Sequence, residues 1–271
     1  TFPGLNSVGT LAPQQLANAQ LLLDATPPRL RAAAHHPAGA CTLLCGLLLD
    51  RDSGIRAHQR QIVAARMGSE ALLQLDDIES DLVRLEPEYK LPLLQLALPA
   101  LRTLSPGTLA SFFDALDDLV HADGQVSVFE FTLQKLLIHT LKLGRSPGGA
   151  GSQIHSFQAV DGEISVVLSA LAHAATSDPT FARAAFTAGV ADLKMIESGL
   201  AFLAETKGNF VSLDRALDRL AMASPAIKQR VLLAASHVVS ADGRVLITEF
   251  ELLRAVAAAL DCPMPPMNPR T

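Results

Sequence analysis

One stretch of this chain is written twice. Ser105–Leu141 and Ser224–Leu260 align without a gap at a constant spacing of 119 residues, and twelve of the 37 pairs are identical. Each copy opens with Ser-Pro, an N-cap followed by a first-turn proline. Each then runs through an amphipathic stretch to Ala-Asp-Gly and on into Glu-Phe-x-Leu. The joints read VHADGQVSVFEF at 120–131 and VSADGRVLITEF at 239–250. Such a unit is a helical hairpin that cannot bury its own apolar face, so the repeat predicts that the two copies pair inside a larger helical body.

Composition agrees. Hydrophobic residues make up 49% of the 271, rich in Leu and Ala, while aromatic residues are 4% and Trp is absent. Leu and Ala favour helices, and a sheet protein would show more β-branched and aromatic side chains. The expected fold is therefore all-α, a multi-helix body with two pseudo-symmetric hairpins. Helices are expected over 13–24, 37–50 and 70–85, after the DRDSG turn at 50–54, around Leu93, Leu96, Leu101 and Leu104, and over 213–222. The expected organisation is an N-terminal helical region at 1–90, the first repeat half at 91–142, a Gly-rich flexible linker at 143–155, and intervening helices with the second half at 156–271.

The formal charge of −5 and the absence of a basic stripe argue against nucleic-acid binding. No run approaches the roughly 18 apolar residues of a membrane span. Cys41, Cys45 and Cys262 have no metal or redox spacing, and Cys41 and Cys45 sit four apart in an apolar run, as buried thiols do. The signatures HExxH, nucleophile elbow and P-loop are all missing. His121, His139, His155 and His173 find no partner at metal-ligand spacing, and His35 and His36 are adjacent, pointing apart.

The repeated turn carries the one candidate site. Asp123, Glu130, Asp242 and Glu249 place two carboxylates seven residues apart in each copy, where they could converge on a divalent cation. Asp118 and His237, at matching positions before the turn, are also ligand types. The competing explanation is capping. Asp123 and Asp242 can accept backbone N–H bonds, and Gly124 and Gly243 can take the left-handed conformation. Ser127 and Glu130 form S-x-x-E, a capping box. Leu246 replaces that serine in the second copy, yet Glu249 is kept, which capping alone leaves unexplained. The EF-hand pattern is not matched. DRDSG starts like a calcium loop but reaches Gln61 at its twelfth position.

At ADGQVSVFEF and ADGRVLITEF the chain resembles the TerB-like family, all-helical domains with pseudo-two-fold halves. That resemblance implies a cation-binding role for Asp123, Glu130, Asp242 and Glu249. A longer resemblance runs through SVGTLAPQQLANAQLLLDATPPRLRAAAHHPAGACTLLCGLLLD, LPLLQLALPALRTLSPGTLASFFDALDDLVHADGQVSVFEFTLQKLL and LDCPMPP. These look like the C-terminal region of large bacterial membrane zinc metallopeptidases related to HtpX, Zn-dependent proteases with chaperone function. The opening TFPGLNS, without methionine, fits a piece of such a protein.

The resemblance implies a non-catalytic accessory or regulatory domain, soluble as a fragment and at the cytoplasmic face of the inner membrane in its parent. Its expected partners are the protease domain of the same chain and a protein substrate, with no nucleic acid and no membrane insertion of its own. No cofactor is required in this region. Zinc belongs to the parent's protease domain, and a divalent cation at the repeated turn would make the domain a sensor, the alternative reading.

Overall fold

Proline marks where many of the helices begin. Pro28, Pro37, Pro106, Pro179 and Pro225 each occupy the first helical position, where a missing N–H costs nothing and the fixed φ already suits a helix. Side-chain oxygens close several starts: Asp52 Oδ1 accepts from the N–H groups of Gly54 and Ile55 at 2.8 and 3.0 Å, and Asp178 Oδ1 from Thr180 at 2.8 Å. The computed structural model describes residues 26–142, 154–176, 178–191, 193, 199–204, 210–243 and 245–262. Among them there are twelve α-helices and no strand, only an isolated parallel bridge between Ile154 and Ala223. The all-α expectation holds. The helix expected over 13–24, most of the linker at 143–155 and the proline-rich end at 263–271 lie outside the described residues.

The chain divides into two compact units at Val126/Ser127. The segment 91–142, expected as one repeat half, is thereby shared between them.

The N-terminal unit holds α1 (Pro28–Ala34), α2 (Pro37–Leu47), α3 (Ser53–Met67), α4 (Ser69–Val83), α5 (Lys90–Leu101) and α6 (Pro106–Val120). Helix α2 is its centre, buried throughout Ala40–Leu47 and packed by α1, α4, α5 and α6. That explains the apolar run at 41–49, since a helix apolar all round needs neighbours all round. The turn after it is held by the buried Gln59, whose Nε2 donates to the Leu48 carbonyl at 2.9 Å and whose Oε1 accepts from the Asp50 N–H at 2.7 Å. DRDSG is thus a cap-and-turn device.

The C-terminal unit holds α7 (Val128–Lys142), α8 (Asp161–Ala175), α9 (Pro179–Val190), α10 (Phe210–Ala221), α11 (Pro225–Val239) and α12 (Ile247–Ala259). Here α12 is the centre, packed by α7, α8, α10 and α11. Helices α9 and α11 approach closely at Gly189, where a Cβ would fall 2.4 Å from Val238 Cγ2 and 2.8 Å from the Ala234 carbonyl oxygen. No described helix is long and apolar enough to cross a membrane.

Candidate functional site

The two Ala-Asp-Gly joints share one local geometry. In the first, the N–H groups of His121, Ala122 and Gly124 donate to the carbonyls of Asp117, Leu119 and His121. In the second, Ser240, Ala241 and Gly243 donate to Ser236, Val238 and Ser240. Gly124 and Gly243 have φ of 74° and 77°, the left-handed region that glycine enters without strain. The helices on either side begin 119 residues apart in both cases, α6 with α11 and α7 with α12.

In the first copy the carboxylates serve the backbone. Asp123 Oδ1 accepts from the Gln125 N–H at 2.9 Å. Glu130 Oε2 accepts from the Ser127 N–H at 2.7 Å, and Ser127 Oγ accepts from the Glu130 N–H at 3.2 Å. This is the expected capping box. Asp123 belongs to the N-terminal unit and Glu130 to the C-terminal one. Asp118, the other ligand-type residue here, is engaged by Arg66, whose Nε lies 2.7 Å from Oδ2.

The second copy keeps half of the box. Glu249 Oε2 accepts from the Leu246 N–H at 2.6 Å. The return bond is lost because leucine has no oxygen to offer. The persistence of Glu249 without a serine, unexplained from sequence, follows from that remaining bond: the carboxylate satisfies one of the N–H groups that a helix start leaves without a partner. Asp242 is exposed in the turn, whereas Glu249 is buried, 2% exposed. Burial pushes the Glu249 carboxyl up to about 7. The Leu246 N–H opposes the shift, and the charge of Asp242 adds to it. Among the described residues no three His, Cys, Asp or Glu side chains are gathered so that they could hold a metal ion.

Further charges in α12 went unsingled in the sequence. Glu251 and Arg254 are 4% and 5% exposed. Burial holds the Arg254 guanidinium down at about 10 against the favourable charge of Glu251, and the guanidinium lies 5.8 Å from the Phe250 ring centroid. Its repeat counterpart is Lys135 on α7, also buried, which pairs with Asp214 and with Asp218 at 3.2 Å on α10. A basic residue kept at one position in both copies was the available signal. At the far end, α12 closes in a Schellman arrangement: the Cys262 N–H donates to Ala257 and the Asp261 N–H to Ala258. Asp261 takes the left-handed position, φ 58°, and its carboxylate meets Lys228 Nζ at 3.2 Å and His139 Nε2 at 3.5 Å.

No protein-family model, curated protein or solved structure matches the chain.

Two outcomes follow from the half box. Leu246→Ser, at a position 50% exposed, restores the missing acceptor and is expected to raise unfolding free energy by about 0.5–1 kcal/mol in urea titration. Glu249 titrates near 4.5 unfolded and about 7 folded, so the folded chain holds this proton more tightly. The resulting stability is complete below about 4.5 and is lost as pH rises through about 7. Urea unfolding at about pH 5 and about pH 8 should therefore show the unaltered chain losing stability relative to Glu249→Gln, which keeps an acceptor but no titration.

Proposed function

We propose that this chain is a non-catalytic helical accessory domain that binds a protein partner or substrate on behalf of a larger enzyme, the membrane-anchored zinc metallopeptidase whose C-terminal region the sequence resembles. The binding role rests on a cleft in the N-terminal unit. Its volume is about 330 Å³, Leu47, Leu49, Leu82 and Val83 supply apolar surface, and Arg51 and Lys90 are among its charged residues. Val83 exposes 67% of its surface and joins the half-buried Leu49 and Leu82 at the cleft, a contiguous apolar lip of the kind a protein ligand covers.

The reading of this region as non-catalytic is supported by how its reactive groups are used. The carboxylates of Asp123, Glu130 and Glu249 accept backbone N–H bonds. Burial pushes the Cys41 thiol up to about 12 and the Cys45 thiol upward as well. Thiols so held stay protonated and make poor nucleophiles.

The test is proteolysis by the parent metallopeptidase with Val83 intact and as Val83→Asp. A folded protein substrate should be cut several-fold more slowly by the variant while a short peptide is cut at an unchanged rate, and the isolated domain should cut neither. Equal cleavage of the folded substrate by both forms, or hydrolysis by the isolated domain, would overturn the proposal.

A further inference from the structure

Helix α8 carries Asp161, Ser165, Ser169 and His173 at every fourth position, a step of about 6 Å along the helix. Residues 199–203 lie beside this ladder. A Cβ at Gly199 would come within 3.0 Å of Asp161 Oδ2. The Ala201 N–H donates to Ser165 Oγ at 3.1 Å, and the Leu203 N–H donates to Ser169 Oγ at 3.0 Å. The Leu203 carbonyl meets His173 Nε2 at 3.0 Å. Two residues of extended chain advance about 6.6 Å, close to one step of the ladder. Alternate residues therefore meet successive side chains, and the segment runs in register with the helix.

Between those backbone contacts sits one aromatic side chain. The Phe202 ring lies 5.0 Å from the His173 ring and 5.6 Å, edge-on, from Phe186 of α9. The Arg183 guanidinium stands 4.9 Å from its centroid. Stacking and cation–π attraction select an aromatic ring at this point, while the bonds of Ser165, Ser169 and His173 go to main chain and read no sequence.

The hydroxyls are built to let go. Ser165 and Ser169 are 3% and 0% exposed, and a helical serine can turn back to the carbonyl four residues earlier. Ser165 already does so, donating to Asp161 O at 2.9 Å while accepting from Ala201. Departure of the segment would leave Ser165 its bond to Asp161 O, and the same turn is open to a helical serine at 169.

We propose that this face of α8 is a binding groove for an extended peptide bearing an aromatic residue, occupied by the chain's own Ala201–Leu203 until such a peptide displaces it. This groove lies in the C-terminal unit and is a second site, separate from the N-terminal cleft described above. It is read on the isolated chain, so it stands or falls separately from any effect on proteolysis.

The probe is a fluorescein-labelled peptide copying residues 199–204, Gly-Leu-Ala-Phe-Leu-Ala, with lysines appended for solubility. Polarisation should show it binding Phe202→Ala at least tenfold more tightly than the unaltered chain, because the competing ring is gone. Replacing the peptide's phenylalanine by alanine should abolish binding, and adding His173→Ala to Phe202→Ala should weaken it at least tenfold. Equal affinity for both forms of the chain, or for both peptides, overturns the proposal. Should Phe202→Ala fail to fold, hydrogen exchange on the unaltered chain decides. Exchange of the Ala201 and Leu203 amides through an opening that leaves α8 protected supports the groove, and exchange only together with α8 overturns it.

Discussion

A helix surrounded by other helices has to settle its own ends. Helix α12 is buried from Glu251 through Ala258, with Glu249 buried in its first turn. Water cannot reach all the N–H groups of its first turn or all the carbonyls of its last, and each such group left unpaired costs on the order of 1–3 kcal/mol. Glu249 serves one end and the Schellman closure at Asp261 serves the other. Helices α7, α8, α10 and α11 are arranged around that post. Asp261 extends the closure outward by pairing with Lys228 of α11 and His139 of α7, so one residue ends a helix and ties two more to it.

The same capping logic explains why an acidic motif recurs without demanding a ligand. A glutamate at the third helical position can bond the N-cap N–H whether or not the N-cap residue returns the favour. Glu130 has its serine and Glu249 does not. Surroundings then separate the copies. Glu130 is half-buried, whereas Glu249 is nearly sealed and titrates about 7. The flanking helices part company too: α6 belongs to the N-terminal unit, while α7, α11 and α12 belong to the C-terminal one.

Helix starts were legible in the sequence because proline, serine and aspartate act locally. Pro37, Asp52, Ser105 and the Ser127–Glu130 box can be read within four residues, and Gly124 and Gly243 mark their own positive φ. What the sequence conceals is partnership across distance. A 119-residue repeat does not say that its first hairpin is divided at Val126/Ser127, and the amphipathic pattern of α12 does not say that Glu251 and Arg254 will be buried. The segment around Phe202 has no helical period, and its meaning comes from a four-residue spacing on a helix some thirty residues earlier.

The central claim is that Asp123, Glu130 and Glu249 hold helix ends and turns. The most direct test is the melting temperature of the chain after EDTA treatment, then with Ca²⁺, Mg²⁺, Mn²⁺ or Zn²⁺ added one at a time. Capping predicts no ion-specific change. A cation site filled at 100 times its dissociation constant would add about 2.7 kcal/mol, a rise of roughly 5–10 °C for a chain of this size. Such a rise with one ion, lost in Asp242→Ala, would contradict the claim.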